Sequence, residues 1–260
     1  MPRWVWVPVV LALAGCSTSA LPVPVHNSAA AAGSEAAVSS SEDAEPGVGA
    51  EQSVVRLSVI APSCNKKFEG TGFVYAPQRV VTAAHVVAGA VPVSPVVTTA
   101  DGNQYEGRVV AFDPEVDVAV LYVPKLPAPP LRITAAPKPL LRIPGFSIAQ
   151  ARMLGYPKGA KRLETQAVDI EQRLEAKSLD LYKEREVTRV VLGFSAEANA
   201  GLSGAPLILE EGTVAGMVFA AAKEDPEEGY ALAGEEILAV TQRAAKATKH
   251  VSTQRCEEDG

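Results

Sequence analysis

Ser203, His85 and Asp117 are the residues of this chain whose types and settings suit nucleophilic chemistry. A serine hydroxyl attacks a carbonyl poorly at neutral pH unless a neutral imidazole takes its proton and a carboxylate fixes the imidazole tautomer. The chain has three histidines. His26 lies in an Ala/Ser-rich stretch and His250 in a polar tail, whereas His85 follows an apolar run and a Thr-Ala-Ala step in "VVTAAHVV". Asp117 precedes the run "VAVLYV", where a strand can hold its backbone while the carboxylate reaches the imidazole. Asp113, beside Pro114, reads as a turn residue. Around Ser203, the small residues Gly201, Gly204 and Ala205 allow a fold tight enough for the N–H groups of Gly201 and Ser203 to face a developing oxyanion. Such a constellation performs acyl transfer. Neither a metal nor another cofactor is expected, because the cysteines and histidines fit no ligand spacing.

These groups need a rigid frame, and the sequence between Val54 and Ala220 offers one in short apolar runs broken by Gly, Pro and Asp. Strands are expected at Val54 to Ile60, Gly72 to Tyr75, Val80 to Thr82, Gln104 to Phe112 and Val118 to Val123. Others are expected at Ala151 to Leu154, Arg189 to Phe194, Pro206 to Leu209 and Thr213 to Ala220. Asp101-Gly102-Asn103 and Glu210-Glu211-Gly212 read as turns. A short helical turn should follow His85, and Gly234 to Lys246 should form a helix with Ile237, Leu238, Val240 and Thr241 inward. Prolines crowded between Val123 and Pro144 mark an irregular connection between two halves. The charged stretch Glu171 to Arg189 reads as a solvated loop or edge.

The remaining segments are read for processing. Residues 1–20 resemble an export signal, with Arg3 and a short apolar run ending in Leu13-Ala14-Gly15-Cys16, a lipobox pattern that makes Cys16 a lipidation site. An ordinary cut after Thr18-Ser19-Ala20 is the alternative. Residues 17–50 form an Ala/Ser/Pro linker with almost nothing to bury, and 51–260 form one domain. Beyond Cys16, Cys64 and Cys256 are the only thiols. An exported chain is expected to join them in a disulfide, with two unlinked thiols as the alternative. The expected bridge would stiffen the domain and steady the oxyanion loop. With 24 basic against 30 acidic residues, the chain offers no footprint for nucleic acid.

"GTGFVYAPQRVVTAAHVV", "DPEVDVAVL" and "GLSGAPLILEEGTVAGMVFA" resemble the chymotrypsin-like (trypsin-like) serine protease family across most of residues 54–222. Within it, "APSC", "AHVVAG", "LGYP" and a cysteine near the carboxyl end are most similar to the actinobacterial periplasmic acid-resistance serine protease (MarP-like) type. The resemblance implies a mainly β fold of two six-stranded antiparallel barrels with the site in the cleft, and a Cys64–Cys256 disulfide. It also implies His85, Asp117 and Ser203 as catalytic triad, and protein or peptide substrates hydrolysed outside the cytoplasm, in periplasm or cell envelope. A membrane tie through the Cys16 lipid would fit that setting, and oligomeric state stays open. The primary pocket would draw on Ala198, Asn199, Ala200, Val218, Phe219 and Ala220. Lacking an Asp where trypsins hold a basic side chain, with Glu197 the nearest acid, it should take small or medium apolar residues.

Two positions depart from the family pattern. Leu202 stands where Asp or Asn is usual and Ala205 where Gly is usual. Leu202 cannot form an ion pair with a freshly cut amino terminus, which excludes activation by that route. It either packs the loop in place or leaves the oxyanion hole poorly formed. The rival functional reading is therefore a weak or inactive protease-fold binding lipoprotein. A second rival, the α/β-hydrolase order Ser203, Asp225, His250, needs a helix after the serine, where Pro206 begins an apolar run.

Overall fold

The computed structural model describes residues 49–138, 147–222, 225 and 227–256. The expected export segment, Cys16, His26 and the expected linker through residue 48 lie outside the described residues. After one helical turn, α1 (Ala50–Ser53), the first half runs through β1 (Val54–Ala61), a 3-10 turn Pro62–Cys64, β2 (Lys66–Ala76), β3 (Arg79–Ala83), α2 (Ala84–Val87), β4 (Val96–Thr98), β5 (Gln104–Glu106), β6 (Arg108–Asp113) and β7 (Val118–Tyr122). The second half holds β8 (Ala149–Gly155), β9 (Glu164–Leu179), β10 (Glu186–Ser195), β11 (Pro206–Leu209), β12 (Val214–Ala221), β13 (Glu228–Ala233) and α3 (Gly234–Ala244).

The mainly β, two-half architecture is as expected. The second half closes as a six-stranded barrel, β10-β13-β12-β11-β8-β9, and the first is a seven-stranded antiparallel sheet in the order β5-β4-β1-β2-β3-β7-β6. The first half gains a strand because the expected run Gln104 to Phe112 is interrupted at Gly107, whose N–H turns to Pro95 O at 2.8 Å. A Cβ there would meet Leu121 at 2.7 Å, so the chain breaks at the one residue that fits. Val54, Leu57, Phe73, Val80, Val81 and Leu121 form part of one core, and Met153, Ile170, Phe194 and Leu207 part of the other. Alternation along β1 sends Val55, Leu57 and Val59 inward while Ile60 is exposed.

Three strands lay outside the expected set: β4, β9 and β13. The stretch Glu171 to Arg189 is mostly exposed, with Asp180, Leu181 and Arg189 buried, and it is a regular hairpin whose ladder continues to the pair Leu179 and Glu186. Where β9 runs past β8 its faces meet water, so little apolar alternation marks it in the sequence. The proline-rich connection is irregular through residue 138 but fastened to both halves. Leu131 N donates to Val74 O at 2.8 Å, and Thr134 N donates to Val214 O at 2.9 Å. Helix α3 buries Ile237, Val240 and Thr241, while Leu238 lies on the flank, half-buried.

Candidate active site

His85 sits on the single turn α2, directly after β3. Asp117 ends the turn between β6 and β7 in a left-handed conformation, φ 66°, which short polar residues adopt more readily than others. The preceding turn is held by Asp113, whose Oδ1 accepts from the N–H groups of Glu115 and Val116, the role expected of it. Three contacts then lock Asp117 to His85. Ala84 N donates to Asp117 O at 3.1 Å, His85 N donates to Oδ1 at 2.9 Å, and His85 Nδ1 lies 2.8 Å from Oδ2. Asp117 is buried and His85 retains partial exposure. A buried carboxylate with both oxygens committed holds the ring proton on Nδ1 and leaves Nε2 as the basic nitrogen.

The candidate nucleophile lies on a loop between β10 and β11. Leu202 N donates to Asn199 O, Ala205 N to Leu202 O, and Gly204 N to Val218 O at 2.7 Å. Among the described residues, the N–H groups of Gly201 and Ser203 have no backbone carbonyl as partner. This division leaves two donors for a ligand oxygen. Gly201 (φ 93°) and Gly204 (φ 91°) are confined to glycine twice over. A Cβ at Gly201 would lie 2.5 Å from both Lys158 N and Tyr156 O, and one at Gly204 2.0 Å from Thr71 O.

Contacts across the halves bring this loop to the histidine strand. Thr71 N donates to Ser203 O at 2.9 Å, and Thr82 Oγ1 donates to Thr71 O at 2.7 Å, with Thr82 three residues before His85. Thr71 and Thr82 were absent from the sequence-derived site. Both stand in the quoted run "GTGFVYAPQRVVTAAHVV", but their hydroxyl directions depend on the register of distant strands.

Leu202 is buried against β8. A Cβ on Gly155 would fall 2.6 Å from Leu202 Cδ2 and 3.1 Å from the Ala205 methyl, so the bare Gly155 makes room for both departures from the family pattern. Burying such a leucine is worth roughly 1.5–3 kcal/mol, in place of an ion pair. A cavity of about 270 Å³ adjoins it, lined in part by Met153, Pro157, Glu164, Glu197 and Asn199.

The expected pocket residues divide. Val218 is buried, and its N–H donates to Ala205 O at 2.9 Å, so its backbone braces the loop. Asn199 is exposed, donates to Glu197 Oε2 at 3.0 Å and faces the Leu202 cavity. Ala200 is exposed and its carbonyl accepts from Lys158 N at 2.6 Å. Ala198, Phe219 and Ala220 are half-buried. A Cβ on Gly229 would meet the Phe194 ring at 2.3 Å and Ala198 at 3.0 Å, which places Gly229 on the Ala198 side of the loop.

Cys64 and Cys256 form a disulfide, Cα atoms 6.2 Å apart. Its immediate contacts are on the histidine side. A Cβ on Gly89 would lie 2.7 Å from Cys256 Sγ, just beyond α2. The α/β-hydrolase arrangement is excluded, since β11 follows Ser203 and His250 is exposed in the tail.

The antiparallel halves, the histidine–aspartate pair and the glycine-bounded serine loop define a chymotrypsin-like serine protease fold. The chain belongs to the trypsin-like peptidase family, whose domain matches residues 70–217. It is 41% identical over 207 residues to serine protease Rv3671c of Mycobacterium tuberculosis H37Rv, an alignment covering 79% of this chain and 49% of that protein. The chain thus spans about half the length of the curated relatives it matches first. The crystal structure of the Rv3671c protease in its active form superposes with a TM-score of 0.73 at 39% identity, covering 80% of this chain and 87% of that one. The inactive form gives 0.62 at 37% identity, with 75% and 90% covered. Protease Do-like 1, chloroplastic, of Arabidopsis thaliana is 32% identical over 151 residues, 57% of this chain and 32% of that protein.

Proposed function

We propose that this chain is an exported endopeptidase of the cell envelope that hydrolyses peptide bonds through His85, Asp117 and Ser203. The observation that carries the reading is the doubly bonded Asp117–His85 pair, joined through Thr82 and Thr71 to a serine loop with two uncommitted backbone donors. In this reading Ser203 Oγ attacks the scissile carbonyl as His85 Nε2 takes its proton, and Asp117 stabilises the imidazolium. The oxyanion is met by the N–H groups of Gly201 and Ser203. His85 then protonates the departing amine, leaving an acyl-enzyme that water hydrolyses by the reverse proton route. Leu202 holds the loop by burial, so no newly cut amino terminus is required. The primary pocket lies between Ala198 and the Phe219–Ala221 strand and takes small or medium apolar side chains. Lipid on Cys16 ties the domain to the membrane through the linker.

The test is covalent labelling of the full-length protein by a fluorophosphonate probe, with Ser203→Ala and His85→Ala beside it. Labelling of wild type that both substitutions abolish supports the reading. A folded wild type that resists the probe and cleaves no peptide sinks it and leaves a binding role. Fatty-acid incorporation that Cys16→Ala abolishes tests the anchor separately.

A further inference from the structure

The nucleophile loop has Leu202 where the family pattern has a polar Asp or Asn, and Leu202 offers only packing. Something else must orient the peptide groups on either side of the Leu202-Ser203 pair, because Gly201 and Gly204 are the residues least able to hold a conformation unaided. Thr71, on β2 and fully buried, meets both. Its Oγ1 donates to Gly201 O at 2.8 Å and accepts from Tyr156 N at 2.9 Å. Its N–H donates to Ser203 O at 2.9 Å, and its carbonyl accepts from Thr82 Oγ1 at 2.7 Å. One residue therefore fixes the carbonyls of Gly201 and Ser203, the end of β8 and the strand that leads to His85.

We propose that Thr71 is a positioning residue for the oxyanion hole. Its hydroxyl pins the Gly201–Leu202 peptide group and its N–H pins the Ser203–Gly204 peptide group, the planes adjoining those that carry the Gly201 and Ser203 N–H groups, so that these two donors are held toward one spot. This rests on the assignment of Ser203 and that hole above. A hydroxyl between Gly201 O and Tyr156 N satisfies a buried acceptor and a buried donor at once, and an isosteric methyl satisfies neither. The branched Cβ restricts χ1, so the hydroxyl is aimed before substrate arrives. A neutral side chain thereby does what an ion pair does in zymogen-type relatives, with no proteolytic event to create it.

Thr71→Val, Thr71→Ala and Thr71→Ser are made in the full-length protein beside Ser203→Ala. Each is read for kcat and KM on a peptide substrate, inhibition by a peptide boronate that forms a tetrahedral serine adduct, and folding by circular dichroism. The valine and alanine variants are expected to lose about 30- to 100-fold in kcat, the scale of a mis-set oxyanion donor, with KM within about threefold. Boronate affinity should fall by a similar factor, and serine should recover most of the rate. A folded T71V or T71A with wild-type kcat overturns the proposal, as does a loss confined to KM or a T71S as impaired as T71V. T71A, which adds no methyl toward the loop, carries the test if T71V does not fold. Activity surviving in S203A would instead overturn the underlying assignment.

Discussion

Asp117 combines a left-handed backbone with a carboxylate whose two oxygens serve different donors, the His85 ring and the His85 amide. The two demands separate by substitution. Asparagine tolerates the conformation and keeps one acceptor oxygen, but its amide group favours the wrong imidazole tautomer. Asp117→Asn is therefore expected to stay folded and lose about 10⁴-fold in kcat. Asp117→Ala should add a loss of stability, since alanine lacks both the acceptor for His85 N and any preference for positive φ. Steady-state kinetics with thermal melts of the two variants check this, and equal melting temperatures would count against the backbone argument. Glu69 acts at the same scale on the other flank. Its carboxylate accepts from Gly159 N at 3.0 Å, next to the Lys158 that bonds Ala200. That amide chiefly holds its carboxyl below the ordinary 4.5; partial burial opposes the shift, and Lys67 and Arg56 assist it. A carboxyl with a lower pKa folded than unfolded contributes its stability above about 4.5 and loses it as pH falls through the folded value. Wild type should then melt about 1–3 °C above Glu69→Gln near pH 7, and the gap should close as the pH falls below the folded value.

Strands carried by buried valine runs were readable because local pattern and tertiary setting agree. β1 and β7 have Val or Leu at nearly every buried position, and β3 has the buried pair Val80-Val81. β9 was not, because its outer half pairs only with β10 and leaves no single apolar face. The same contrast governs the site. His85, Asp117 and Ser203 sit in short local settings, so their segments announce them. Thr71 gains its partners only when β2 is laid against a loop 130 residues away. Gly155 is similar, being meaningful only because Leu202 and Ala205 settle over it. The burial of the residues named for the pocket was likewise not legible. β12 is buried through Val218 and opens at Phe219, where its pairing with β13 shifts register, a distinction that a motif alone does not make.

Across the whole molecule, the carboxyl-terminal tail closes over the segments that carry the base and the acid. Val251 N donates to Val109 O, Gly89 N to Thr253 O at 3.0 Å and Val91 N to Thr253 Oγ1 at 3.0 Å, so the tail braces the residues just after α2. The β9–β10 tip lies over both. Leu181 N donates to Pro114 O at 3.0 Å in the Asp117 turn, and Tyr182 Oη donates to Arg255 O at 2.9 Å, its ring under the Arg255 guanidinium. The disulfide fastens the end of this tail to a residue 192 positions earlier. Such a bridge is worth roughly 2–5 kcal/mol through the unfolded chain. Because its surroundings are the histidine segment, its loss should act on the base more than on the oxyanion hole. The Cys64→Ser/Cys256→Ser protein is expected to lose that much stability in urea and severalfold in kcat, while KM changes little. Tyr182→Ala, which leaves the bridge intact, should reproduce part of both losses by loosening the same tail. If tail and tip act as one clasp, the combined variant must lose less than the sum of the two, since a strap already open cannot be opened again. Strict additivity in a double-mutant cycle, or full activity in the reduced wild-type protein, would show that the tail is only a structural end and that His85 is held by Asp117 alone.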